Sequence, residues 1–114
     1  MDDFIHWLSV LGGLHDVTVR SLSWDSVLKE LRLELTDIYI DLEDRPEYPG
    51  EVSGSLIFSD VVEVSMSFEC LREMWIHECI CSTNQSPTVE ITFIDGGSIT
   101  VQFNSISFPK LLIP

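Results

Sequence analysis

Apolar and polar residues alternate along most of this chain. A two-residue period is the signature of a strand with one face in a core and the other in water. Val62, Val64, Met66 and Phe68 fall on one face of such a strand, and Glu63, Ser65, Ser67 and Glu69 on the other. The same period recurs in Leu31, Leu33 and Leu35, in Val89, Ile91 and Phe93, and in Ile99, Val101 and Phe103. Short strands without long intervening helices predict a mainly β protein: an antiparallel β-sandwich or a strongly curved sheet of about 6–8 strands. The 114 residues suit a single β domain, 1–114, that buries roughly two-thirds of its unfolded surface. Neither an internal repeat nor a low-complexity segment interrupts it.

Punctuation along the chain places the elements. Asp2 or Asp3 can cap a short N-terminal helix carrying Phe4, Leu8 and Leu11, with Gly12-Gly13 as its stop, an extended edge segment being the alternative. Val17 and Val19 then share a face, as do Leu22 and Trp24 one residue out of phase. A bulge near Arg20-Ser21 would bring both pairs to the core. Trp24-Asp25-Ser26 reads as a turn. The Leu31–Leu35 run continues, after a slip at Thr36-Asp37, into Ile38, Ile40 and Leu42, as one bent strand or two. Residues 43–50, with two prolines and a glycine among charges, form a surface loop. Strands follow at 52–58 and 62–68, residues 69–73 are a turn or a helical turn, and 74–83 reads as a central strand covered by its neighbours. Asp95-Gly96-Gly97-Ser98 turns the clearest hairpin, Ile106 and Phe108 shift phase again, and Pro109 ends or edges the last strand.

Charge constrains the partner. Nineteen acidic residues against six basic ones leave a formal charge of −13. Phosphate backbones and anionic membranes are disfavoured, because both are bound through Lys and Arg. A basic protein is attracted instead, with fast, salt-dependent encounter. The other reading of the charge is that it only keeps a β protein soluble. Met1-Asp2-Asp3 is not the basic start of a signal peptide and no apolar run approaches a membrane span, so a cytoplasmic location is expected. Cys70, Cys79 and Cys81 are an odd number, the last two too close along one strand to pair, which predicts free thiols in a reducing compartment.

The strongest binding candidate is acidic. With Ile38, Ile40 and Leu42 facing the core, Asp37, Tyr39, Asp41 and Glu43 line the exposed face of the same strand, and Asp44, Glu47, Tyr48 and Glu51 extend that surface over the loop. Carboxylates and tyrosines on a rigid strand can meet a Lys- and Arg-rich partner at low ordering cost. An ordinary solvated edge is the alternative. His15-Asp16 is a secondary candidate. There a structural role is favoured, Asp16 accepting from amides at a strand start and His15 packing over Leu14 or a tryptophan. His77, Cys79 and Cys81, projecting from one face with Cys70 near by, supply zinc-ligand types. Alternate strand residues lie about 7 Å apart along one ridge, however, unlike a CxxC knuckle, so no metal or other cofactor is assigned. No Gly-flanked nucleophile turn accompanies the cysteines, and an acidic field raises a thiol pKa, so catalysis is not expected. Trp7, Trp24 and Trp75 read as core residues rather than a ligand platform.

The order Leu14-His15-Asp16-Val17, the strand end Leu56-Ile57-Phe58, the Val61-Val62 step and the late Asp95-Gly96-Gly97 hairpin resemble small bacterial all-β proteins. They are similar in particular to the immunity proteins of polymorphic toxin systems in the immunity-50 group, over roughly residues 14 to 108. The resemblance implies a cytoplasmic inhibitor that binds a cognate toxin and has no catalysis of its own. The expected function is therefore an acidic module that blocks a basic toxin or nuclease. A small-ligand- or metal-binding domain using a cavity near His15, His77 and the cysteines is one alternative. A structural subunit that self-assembles, for instance as a homodimer, through an unpaired sheet edge is the other.

Overall fold

The alternating segments become strands. The computed structural model describes residues 1–68 and 73–113, and is mainly β: eight antiparallel strands in one sheet, with a short N-terminal helix, α1 (Asp2–Val10). In chain order the strands are β1 (Thr18–Asp25), β2 (Glu30–Thr36), β3 (Gly54–Ser59), β4 (Glu63–Ser67), β5 (Met74–Ser82), β6 (Thr88–Phe93), β7 (Ser98–Gln102) and β8 (Ser105–Ser107). Across the sheet they lie in the order β4-β7-β6-β5-β1-β2-β3-β8.

That order forces strong curvature. Residues 60–62 carry the chain from β3, near one end of the sheet, to β4 at the other, and residues 103–104 make the reverse passage from β7 to β8. Three linking residues let the strand ends they join stand at most about 14 Å apart, whereas six strand spacings in a flat sheet come to about 29 Å. The sheet therefore curls so that its two ends approach at the corner where residues 60–62 and 103–104 cross, without closing into a barrel. At that corner Phe58 and Phe103 touch with ring centroids 5.1 Å apart, and Asn104 N extends the β3–β8 ladder by donating to the Ser59 carbonyl at 3.3 Å.

Inside the curl lies one core. Leu31, Leu33, Leu35, Leu56, Phe58, Ile76, Val89, Ile91, Ile99 and Val101 point inward from the strands and are all but inaccessible. Phe4, Trp7 and Leu8 of α1 cover the opening, with Phe4 and Trp7 stacked at 5.7 Å and Phe108 against both. The helix begins one residue earlier than expected: Met1 is its cap position, and Asp2 and Asp3 sit in the first turn, where negative charge opposes the helix dipole favourably. Gly12 and Gly13, both at positive φ, end it as the sequence predicts.

Two bulges set the phase of the sheet. The first, at Arg20, is the expected one, and it places Leu22 opposite Leu33 and Trp24 opposite Leu31 on the core face. Trp24 nevertheless lies too near the strand end to be covered and stays 40% exposed. β1 continues through Asp25, so the turn is Ser26–Lys29 rather than Trp24-Asp25-Ser26, held by Asp25 Oδ1 accepting from Val27 N and Leu28 N at 2.9 Å each. The second bulge falls between Ile76 and Glu78. β5 is central as expected, but its outer face is not covered: Trp75 and Ile80 are each 45% exposed.

Candidate functional site

The acidic segment is not a strand. β2 ends at Thr36, Asp37 takes φ +47, and the chain enters a 3-10 turn at Ile40–Leu42. Ile38, Tyr39 and Leu42 are all buried, a spacing of one, three and four residues that belongs to a helical turn. Tyr39 is accordingly a core residue, completely inaccessible, and not part of an exposed row with Asp37, Asp41 and Glu43. Its hydroxyl accepts a hydrogen bond from Leu112 N at 2.8 Å, tying the segment to the C-terminal end of the chain.

This anchoring displays the carboxylates. Asp41, Glu43, Asp44, Glu47 and Glu51 are exposed, while Asp37 and Tyr48 are half-buried. The Tyr48 hydroxyl donates to Asp37 Oδ1 at 3.0 Å. Desolvation, that hydrogen bond, and the negative charges of Asp37, Glu43 and Glu51 raise the Tyr48 pKa above its ordinary value. Asp41 packs against Gly12, where a Cβ would run into its carboxylate, so the acidic loop closes onto the turn after α1. Among the described residues, the Lys and Arg ion pairs are those of Arg32 with Glu30 and Glu34, on β2 and outside the loop. The structure thus brings together seven of the eight predicted residues as one loop surface and removes Tyr39 from it.

His15 and Asp16 brace the second bulge. Asp16, at φ +69, donates its amide to the Ile76 carbonyl at 2.9 Å, and Ile76 N returns a bond to the Val17 carbonyl at 2.8 Å. His15 Nδ1 donates to the His77 carbonyl at 2.9 Å, and the two imidazoles meet edge to face at 5.9 Å. The Asp16 carboxylate lies 3.6 Å from His15 Nε2 instead of accepting from strand amides, and His15 packs on His77 rather than on Leu14 or a tryptophan.

The bulge also breaks the supposed ligand row. Cys79 pairs with Ile91 and Cys81 with Val89 on the core face, whereas His77 is exposed beside Glu78 on the outer one. Cys70 lies outside the described residues, as does most of the ambiguous 69–73 segment. Among the described residues no three His, Cys, Asp or Glu side chains converge on a common point. Burial first, and the neighbouring Cys81 second, push the Cys79 thiol up to about 12, and burial raises Cys81 as well. At neutral pH both thiols are protonated and weakly nucleophilic.

Sequence reasoning missed the outer face. Trp75 does not join the core: its indole Nε1 donates to Glu73 Oε2 at 2.6 Å, and with Ile94 and Asp95 it lines an open recess of about 490 Å³. Ile94 N donates to the Trp75 carbonyl at 2.9 Å, which fixes the two walls relative to each other. The bulge at His77 is what a strict two-residue count through 74–82 cannot reveal. No family model and no curated protein matches this chain.

Proposed function

We propose that the chain is an acidic protein-binding module, an immunity-type inhibitor that covers the basic, substrate-binding surface of a toxin or nuclease. The observation that carries this reading is the loop of residues 37–51. It holds six carboxylates against one arginine, and buried Ile38, Tyr39 and Leu42 hold it in place. A charged surface that is already ordered loses little conformational entropy on binding. Its field steers a basic partner toward it. Exposed carboxylates at a rim act mainly on association rate, and complementarity of charge discriminates against acidic competitors.

The test is kinetic. The tagged chain captures its partner from host lysate at low and moderate salt, and association with the recovered protein is followed by stopped flow. A basic protein recovered one to one is expected. Replacing Asp41, Glu43 and Asp44 by Asn, Gln and Asn should leave the circular dichroism unchanged and slow association at least tenfold at low salt. Unchanged association by a folded triple variant would sink the assignment of this loop.

A second reading rests on the recess at Trp75. A half-exposed indole in a recess that Glu73 and Asp95 also line suits a small organic cation. Quenching of tryptophan fluorescence by a quaternary ammonium ion, absent in Trp75→Phe, would favour it.

A further inference from the structure

We infer that the free edge of β4 pairs with the same edge of a second copy of this chain, antiparallel and two-fold symmetric about Ser65. The fold treats its two sheet edges differently. β8 is three residues long, is followed by Phe108 and Pro109, and has Phe108 packed against the rings of α1. β4 is five residues long, is followed by no proline, and contains no lysine or arginine, the usual means of blocking an edge. Its inner side is paired to β7 over Glu63–Ser67, and among the described residues its outer side pairs with nothing.

The register follows from the faces. Val64 and Met66 lie opposite the buried Val101 and Ile99, so they belong to the core face, and Glu63, Ser65 and Ser67 to the outer one. A partner strand must keep those faces aligned. Centring the two-fold axis on Ser65 sets Val64 opposite Met66 and Glu63 opposite Ser67, so no two like charges meet across the seam. The same register brings Val62, 62% exposed, toward Phe68, 44% exposed, of the other copy. Val61 N donates to the Lys29 carbonyl at 2.9 Å, which places the exposed apolar tip Val27-Leu28 beside the Val62 end of the edge. Between Val62 and Phe68 the edge carries one charged residue, Glu63, which the register sets opposite Ser67.

A seam of seven residues is about 24 Å long. It is small beside the interfaces of stable dimers, so association is weak and depends on concentration. The long-range repulsion between two strongly acidic chains is screened by salt, so pairing tightens as ionic strength rises.

Sedimentation velocity from about 10 µM to about 1 mM, at low salt and near 1 M salt where the Debye length falls to about 3 Å, tests the proposal. A dimer that grows with both concentration and salt is expected. Ser65→Lys places two ammonium groups across the axis on the exposed face. It should weaken the dimer at least tenfold although it lowers the net negative charge. Ser65→Cys should form a disulfide-linked dimer under mild oxidation that neither the unsubstituted chain nor Ser67→Cys forms. Opposed residues of an antiparallel pair have Cα atoms about 5 Å apart, within disulfide range, whereas the two copies of position 67 would stand about 14 Å apart. A monomer at every concentration and salt, a dimer indifferent to Ser65→Lys, or equal cross-linking at positions 65 and 67 would overturn the pairing.

Discussion

Tyr39 separates two incompatible pictures of the acidic segment by energy. On an exposed strand face its truncation would change stability by less than about 0.5 kcal/mol, as most surface substitutions do. In the structure the ring is completely inaccessible and the hydroxyl accepts from Leu112 N at 2.8 Å. Tyr39→Phe keeps the ring and removes one neutral hydrogen bond, a loss of about 1 kcal/mol, which for a domain of this size lowers the thermal midpoint by about 3–6 °C. Tyr39→Ala also removes a buried aromatic ring, for which large-to-small substitutions cost about 3–5 kcal/mol. Set against a total stability of about 5–15 kcal/mol, that leaves the fold marginal. Urea unfolding followed by far-UV circular dichroism measures both, and an unchanged slope with a lowered midpoint identifies a stability effect. A Tyr39→Ala midpoint within error of the parent would refute the burial of Tyr39 and with it the anchored loop.

The remaining predictions bear on other parts of the fold. Cys79 has its thiol pKa raised from 9.0 to about 12, so the folded state holds a proton that the unfolded state releases above pH 9. Its contribution is intact below pH 9 and is lost at about 1.4 kcal/mol per unit as pH rises toward 12. Cys79→Ala should flatten that alkaline slope in pH-dependent unfolding. Gly97→Ala should destabilise by more than about 1 kcal/mol, because φ is +93 and the new Cβ would meet the Ser67 carbonyl. Gly50, also at positive φ but with open space around it, should tolerate alanine better. Asp25→Ala removes the acceptor for two turn amides and should cost about 0.5–2 kcal/mol in chemical denaturation, as losing a helix cap does.

How much of this was legible depends on what set each period. The hairpin of β6 and β7 was readable because Val89, Ile91 and Phe93 face Val101, Ile99 and Gly97 across a turn whose glycines carry the positive φ it needs. The Arg20 bulge was readable because apolar residues flank it on both sides and reveal the slip. The His77 bulge was not, since Cys79, Ile80 and Cys81 are apolar on both faces and hide a change of phase. The acidic loop was misread for a related reason. Ile38, Ile40 and Leu42 fit a two-residue period, but Ile38, Tyr39 and Leu42, buried together, fit a helical turn. The left-handed Asp37 decided between them. Tyr39 beside Ile38 and three residues before Leu42 was the available signal. The acidic surface itself survives the error, because exposure of the carboxylates follows from their charge in either conformation.

The two proposed surfaces sit at opposite ends of β2. The acidic loop leaves from Thr36, and the Val27-Leu28 tip beside β4 precedes Glu30. Seven strand residues separate them, about 23 Å. One can therefore be occupied without covering the other. Salt acts on them with opposite sign: it screens the attraction between the loop and a basic partner, and it screens the repulsion between two acidic copies. A complex formed at low salt should then contain one partner per chain, and a dimer formed at high salt should retain two accessible loops. Asp41, Glu43 and Asp44 neutralised together would slow partner capture while easing self-association. Ser65→Lys would do the reverse to self-association and leave partner capture at the loop unchanged. Loss of both associations in either variant, with the fold intact, would mean that a single surface carries them and that the separation read from the topology is wrong.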